Sequence, residues 1–354
     1  MIIKQVDRRR NLSSEDFLNE YFNTDTPVIL EDAVSTWWPQ ALQKWSIDYL
    51  TDQLGDRIVD VRKNTSTIDY KLGKRYLLAK IPFSKYAFWH KNNMPERYDH
   101  YLAVNNIKAA FPEISPHIPL PDHVGKLHAG PYLWIAPDGH YEYTHVDAHD
   151  NFCAIIRGRK NFRIFSTGDF DKLYPHDFGS KGKTVQSRVH LDNIDYELYP
   201  KMRQAVCMEA DIGQGDVVFV PSLFWHQVTT IDPCTISVNI FFGPRGDDQY
   251  IKKMLTNPRS DAFRHWILNV IVQNKDAPSF DHLIEEDLPG SIKNFLFKQY
   301  HEHCTDQQIE QIVSWVRDYF KQEHGIEHSL VTSEKGAARK HPRQLKIRGL
   351  SWRS

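Results

Sequence analysis

Between about residues 58 and 243 the apolar residues recur with a period close to two, in short runs broken by Gly, Pro, Asn and Asp. Arg57-Ile-Val-Asp-Val-Arg62, Tyr132-Leu-Trp-Ile135, Asn151-Phe-Cys-Ala-Ile-Ile156, Phe162-Arg-Ile-Phe165, Asp216-Val-Val-Phe-Val220 and Thr235-Ile-Ser-Val-Asn-Ile-Phe-Phe242 all read this way. Such runs suit strands, whose successive side chains face opposite sides. Many short strands closed by turns predict a sandwich or barrel. Gly158, within Arg157-Gly-Arg-Lys160, reads as a hairpin turn between two of them.

The flanks change period. Residues 1–60 read as helices with one strand between them: Ser13-Ser14 caps a helix carrying Phe17, Leu18 and Tyr21, and Pro27–Leu30 is a short buried strand. Ser46 then opens a helix with Tyr49, Leu50 and Leu54 on one side, and Gly55 stands at its C-terminal cap. After residue 247 the spacing is helical again. Phe263, Trp266, Ile267, Val270 and Ile271 follow Ser260-Asp261 as a cap. Thr305 with Gln308 makes a capping box before Ile309, Ile312, Val313, Val316 and Phe320, and Gly325 ends that helix. The expected class is mainly β with flanking helices. The expected parts are an N-terminal segment, 1–60, packing on the barrel, a β core, 61–243, a helical region, 247–328, and a mobile tail, 329–354.

The 354 residues carry 44 Lys+Arg against 45 Asp+Glu, so overall charge selects no polyanionic partner. The tail is the exception: from Lys335 to Ser354 there are seven Lys/Arg and no acid. Cys153, Cys207, Cys234 and Cys304 lie far apart, which suits reduced thiols rather than a disulfide framework or a zinc knuckle. The basic run of Met1–Asn11 lacks the apolar stretch of a secretory leader, and no segment reaches the roughly 20 apolar residues of a membrane span. A cytoplasmic protein without a membrane partner is expected.

Thr144-His145-Val146-Asp147 places His145 and Asp147 two apart, on one face of a strand, where both can bind one ion. His226, in Pro221-Ser-Leu-Phe-Trp-His226, follows another strand and offers a third ligand. Two histidines and a carboxylate make the facial triad of non-haem Fe(II) oxygenases, which leaves three coordination positions open. Each piece alone is weak in a chain with 18 histidines; the combination is the signal. Lys160, across a hairpin from the ligand strand, is suited to a carboxylate, although a solvated turn lysine is the plainer alternative. Asn151 shares the parity of His145 and Asp147. Asn239 sits amid apolar strand residues and requires a partner, for which a bound carboxylate is one candidate.

These residues resemble a family. Thr144-His-Val-Asp147, Asp150-Asn151-Phe and Arg157-Gly-Arg-Lys160 are similar to the His-x-Asp, Asn and Gly-x-Lys run of JmjC-type (cupin-like) hydroxylases, and Gly215–Pro221 leading to Trp225-His226 fits as well. That family includes the hypoxia-response asparaginyl hydroxylase and the tRNA wybutosine hydroxylase. The resemblance covers roughly residues 15–243. It implies a double-stranded β-helix (jelly roll) with Fe(II) held by His145, Asp147 and His226. It also implies 2-oxoglutarate as cosubstrate, contacted by Lys160 and Tyr101, with Asn151 and Asn239 nearby and Trp134 lining the pocket. One position departs. Many members carry Ser or Thr three residues before the first ligand, where the hydroxyl helps hold 2-oxoglutarate; here it is Glu142, and a carboxylate pointing inward would repel the cosubstrate. Thr144 is the substitute that the resemblance offers.

The implied activity is hydroxylation of a C–H bond, with decarboxylation of 2-oxoglutarate to succinate, on a protein side chain or a modified tRNA base. No acid or base residue beyond the metal site is implied. The alternatives are N-methyl demethylation by the same chemistry, a metal-binding cupin that is not an oxygenase, and a non-catalytic jelly-roll binding module. The helical region after residue 247 is either a homodimerisation element or a cover for the barrel, since its amphipathic stripes require burial.

Overall fold

Alternation along the strands sorts the chain into two β-sheets. The computed structural model describes residues 1–74, 76–178, 184–243, 250–273 and 288–324. It divides into two units, Met1–His176 with Thr184–Gly246, and Asp177–Lys183 with Asp247–Ser354. In the first unit the smaller sheet runs, edge to edge, Ile2–Gln5, Val206–Ile212, Lys160–Phe165, Trp225–Thr230, Tyr141–Val146 and Val185–Gln186. The larger runs Asp7–Arg10, Val28–Glu31, Val217–Val220, Asp150–Arg157, Thr235–Gly243, Lys126–Ala136, His100–Asn106, Ile58–Lys63 and Leu77–Pro82.

The sheets pack face to face. Phe162, Ile164, Ala210 and Ile212 of the smaller sheet meet Cys153, Ile155, Val218 and Val220 of the larger in one buried cluster. The other parity of the larger sheet, with Phe152, Ala154, Ile156, Val238 and Ile240, is covered by the N-terminal elements through Phe17, Phe22, Leu50, Phe83 and Tyr86. Both faces of the central strands of this sheet are therefore buried, which is why those strands read as nearly continuous apolar runs. This is the predicted jelly roll with flanking helices.

Local chemistry sets the helix ends. Ser13 accepts the Asp16 N–H at 3.0 Å, and Ser46 accepts the Tyr49 N–H at 3.1 Å. The helix Ile47–Leu54 ends at Gly55, whose φ of +50° few residues tolerate. The N-terminal segment corrects the sequence reading. Its basic run forms two strands, Ile2–Gln5 pairing with Val206–Glu209 and Asp7–Arg10 with Val28–Glu31, both parallel. The run is not a free cationic patch: Arg8 binds Glu31 and Asp216, each at 2.9 Å, and Arg9 binds Glu20 at 2.7 Å.

The second unit contains Tyr250–Met254, Arg259–Gln273, Leu288–Tyr300 and Asp306–His324, all helical. The capping box is present: Gln308 Oε1 accepts the Thr305 N–H at 2.8 Å, and Thr305 Oγ1 accepts the Gln308 N–H at 3.2 Å. The apolar stripes face one another. Trp266 lies 5.7 Å from Phe295 and 6.1 Å from Tyr300 by ring centroid, and Ile309, Ile312, Val313 and Val316 are buried. Burial of the stripes thus requires no second copy of the chain. Gly325 and the basic tail lie outside the described residues. Among those described, no helix is long and apolar enough to cross a membrane.

Gly158 turns the chain at φ +79°, but not into the expected hairpin: Asp150–Arg157 belongs to the larger sheet and Lys160–Phe165 to the smaller, so the turn carries the chain from one sheet to the other. A Cβ there would stand 2.4 Å from Thr235 Oγ1 and 3.1 Å from its Cα. Gly158→Ala should therefore cost about 1–3 kcal/mol in urea unfolding; an unchanged midpoint would show that the turn relaxes without strain.

Candidate metal centre

Strand register brings the three metal-ligand candidates together. In the antiparallel pairing of Trp225–Thr230 with Tyr141–Val146, His226 stands directly opposite His145, and the two rings lie 4.3 Å apart by centroid. Asp147 follows just past the end of its strand. Its carbonyl accepts the Leu223 N–H at 2.7 Å, and Asp150 Oδ1 accepts the Ser222 N–H at 2.8 Å, so the corner is tied to the loop that carries His226. His145 Nε2 and His226 Nε2 lie 3.7 and 3.5 Å from Asp147 Oδ2. One donor atom from each residue falls within a 4.8 Å cluster.

The tautomers suit coordination. His145 Nδ1 lies 2.8 Å from the Tyr143 carbonyl and His226 Nδ1 lies 3.2 Å from that of Phe224. A carbonyl only accepts, so Nδ1 carries the proton and Nε2 presents its lone pair. Burial lowers the His145 pKa, and neighbouring His226 lowers it further, favouring the neutral ligand form. Burial alone would raise the Asp147 carboxyl, but the two histidines outweigh it and hold Asp147 below its ordinary value.

The interior face continues from these donors into a polar pocket. Lys160 shares its side of the strand with Phe162 and Ile164 and is buried. Its Nζ donates to Ser237 Oγ at 2.8 Å, and among the described residues no carboxylate lies within ion-pair reach of it. Burial lowers the Lys160 pKa, partly opposed by Cys153 and Glu142. Tyr101 packs on His140 with ring centroids 3.9 Å apart and on Trp134 at 5.5 Å. The Trp134 indole N–H donates to the Asn239 amide oxygen, which supplies the partner that Asn239 requires.

Asn151 does not continue the strand of His145, because the chain leaves one sheet after Val146 and enters the other at Asp150. Asn151 nevertheless faces the interior, on the side of Cys153 and Ile155, and its amide oxygen is buried without a partner. Thr144 does not turn into the pocket: its hydroxyl faces Tyr141 on the opposite side of the strand. Glu142 does point inward. Two residues of Trp225–Thr230, His226 and Val228, stand opposite His145 and Glu142, which are three apart, so a β-bulge puts His145 and Glu142 on one side.

Glu142 is fully engaged. Its Oε1 accepts from Arg62 Nη1 at 2.6 Å, and its Oε2 accepts the Tyr70 hydroxyl at 2.7 Å and lies 3.4 Å from His140 Nε2. Burial would raise its carboxyl, but Arg62 and then His140 outweigh that and hold it well below the carboxylate range. The Arg62 guanidinium lies against the rings of Tyr76, Trp134, Tyr101 and Tyr143, at 4.8–6.0 Å. Sequence reasoning missed Arg62 and Tyr70. Arg62 was visible only as the end of a strand candidate, and nothing local joins it to a glutamate 80 residues on.

If the triad is a metal site, His145→Ala should abolish Mn(II) binding in titration calorimetry while leaving the thermal unfolding midpoint within a few degrees, since the ring sits at a barrel end rather than in the apolar core. Undiminished Mn(II) binding would remove His145 from the ligand set.

Residues 14–248 match the model of the cupin-like domain family. Lysine-specific demethylase 8 of Xenopus tropicalis is 29% identical over 225 residues, covering 62% of this chain and 49% of that protein. Lysine-specific demethylase JMJ30 of Arabidopsis thaliana is 29% identical over 250 residues, covering 68% and 54%. The tRNA wybutosine-synthesizing protein 5 of Mus musculus is 27% identical over 256 residues, covering 67% and 77%. The chain thus spans about half the length of the two demethylases. With the matched segment taking in every strand after Asp7–Arg10 and all three metal-ligand candidates, the chain belongs to the cupin-like domain family.

Proposed function

We propose that this chain is an Fe(II)- and 2-oxoglutarate-dependent dioxygenase that hydroxylates a C–H bond of a protein side chain or a modified tRNA base. The observation that carries the reading is Lys160. A buried ammonium with one hydroxyl partner and, among the described residues, no carboxylate is unfavourable unless an anion joins it, and it shares the barrel interior with the three clustered donors.

The residues fit both groups. Two imidazoles and one carboxylate, without a thiolate, suit Fe(II) with open positions, and the Cys153 thiol is pushed up by burial and lies by Lys160 instead. Lys160 and Ser237 suit the distal carboxylate of 2-oxoglutarate, with Tyr101 and Trp134 as walls. The Asn151 amide can turn its N–H toward an anion, since amide orientation follows the partner. Fe(II), 2-oxoglutarate and O₂ together would supply the oxidising power for C–H hydroxylation, with succinate and CO₂ as by-products. The protein's part is to hold His145 and His226 in one tautomer, to fix the cosubstrate by its far end and to keep the cavity dry.

Lys160→Ala tests the reading directly. A charge-assisted contact is worth roughly 1.5–3 kcal/mol, so 2-oxoglutarate affinity should fall about ten- to a hundredfold while Mn(II) affinity holds. Equal 2-oxoglutarate affinity in the variant, or a purified protein that carries zinc and releases no succinate, would favour a cupin that is not an oxygenase. N-methyl demethylation is the second reading, favoured by two relatives named lysine-specific demethylases. Formaldehyde release distinguishes it from plain hydroxylation.

The seven cations of Lys335–Ser354 bear on the substrate. If they hold a phosphate backbone, tRNA binding by the full chain should weaken steeply as salt rises, and truncation after His328 should flatten that slope. Equally weak binding by both at low salt would leave a protein side chain as the leading substrate.

A further inference from the structure

Glu142 puts a carboxylate on the side of the strand that faces the proposed cosubstrate, where it would repel a dianion. Its surroundings answer that charge. Arg62 binds one carboxylate oxygen at 2.6 Å and Tyr70 the other at 2.7 Å, and all three side chains are buried. Arg62 is held in turn by its aromatic surround, with Trp134 and Tyr101 shared between the guanidinium and the pocket wall. Among the buried side chains Lys160, Arg62 and Glu142 there are two cations against one anion, and Arg62 pairs with Glu142. Lys160 alone is left uncompensated among the described residues.

We propose that Arg62, Glu142 and Tyr70 form the element that lets this pocket discriminate for a dicarboxylate: Arg62 cancels the Glu142 charge, so that Lys160 meets the distal carboxylate without an opposing anion. Arg62 is a positioning residue that acts through Glu142, and the proposal rests on the cosubstrate reading of the preceding subsection. Without Arg62, the Glu142 carboxylate is released toward the pocket and works against the cosubstrate's far end, leaving its 2-oxo acid end untouched. The effect therefore falls on selectivity, not on binding in general.

The test measures equilibrium binding of 2-oxoglutarate and of 2-oxopentanoate, which lacks the distal carboxylate, to the Mn(II)-loaded full chain without O₂. Calorimetry is the readout, so no turnover is required. Wild type should prefer 2-oxoglutarate. Arg62→Met should lose about tenfold or more of that preference, through 2-oxoglutarate alone. The double variant Arg62→Met/Glu142→Thr should recover most of it. Glu142→Gln keeps the shape of the side chain and removes its charge, so it should raise the preference severalfold; it also serves where Arg62→Met fails to fold. The proposal is overturned if Arg62→Met weakens both 2-oxo acids equally, if the double variant does not recover, or if Glu142→Gln leaves the preference unchanged. A wild type that binds neither 2-oxo acid sinks the cosubstrate reading itself, a result distinct from any of these.

Discussion

Charge inside a dry β-sandwich is the constraint on which the rest of this site depends. Lys160, Glu142 and Arg62 are only 4, 6 and 8% exposed, and an unpaired ion at such depth costs several kcal/mol. Two of the three satisfy each other through a 2.6 Å contact. Lys160 has a serine hydroxyl, which solvates an ammonium less well than water does. A fold that keeps that lysine on the interior side, which it shares with two imidazoles and a carboxylate, agrees with the proposed anionic cosubstrate. Burial also strengthens the contact once it forms, because the same low dielectric that penalises the lone charge deepens its attraction to a partner.

Position is set by backbone register, not by flexible loops. His145 and His226 are cross-strand partners, so their rings are fixed by the same ladder that closes the smaller sheet. Lys160 begins the neighbouring strand, where Ile164 stands opposite His226. The Gly158 turn joins that strand to the larger sheet, where Ser237 stands on the facing interior. The β-bulge between Glu142 and His145 adds one residue to the ligand strand and so aims both inward. A regular strand would have sent Glu142 to the outside, and the Arg62 pairing would not exist.

What the sequence carried was whatever repeats over short distances. Short apolar runs disclosed the central strands because both faces of those strands are buried, so that apolar residues stand at nearly every position. The caps at Ser13, Ser46 and Thr305 were legible because a cap is a contact three residues long. The His-x-Asp pair and Gly158 were legible for the same reason. The edge strands Ile2–Gln5, Asp7–Arg10 and Leu77–Pro82 were not: an edge has one open side, and its charged and exposed residues erase the pattern. The bulge was invisible as well, since it is defined by the partner strand. Extending parity from Asp147 to Asn151 gave an inward residue, but the chain changes sheets between them, so the agreement was accidental.

Glu142 shows what a motif departure means physically. Read alone, a carboxylate in place of a hydroxyl changes the sign of the local field and argues against an anionic ligand. Read with Arg62, the pair is close to neutral, and Tyr70 takes up the remaining oxygen much as a hydroxyl would accept or donate a single hydrogen bond. The substitution at one strand position is therefore meaningful only together with a residue on another strand of the other sheet. Truncating either partner leaves the other as a buried, unpaired ion, so the two positions are coupled and their effects on binding will not add. On the proposed function, what acts at this end of the barrel is a set of charges whose sum suits a dicarboxylate, and no single letter of the sequence states that sum.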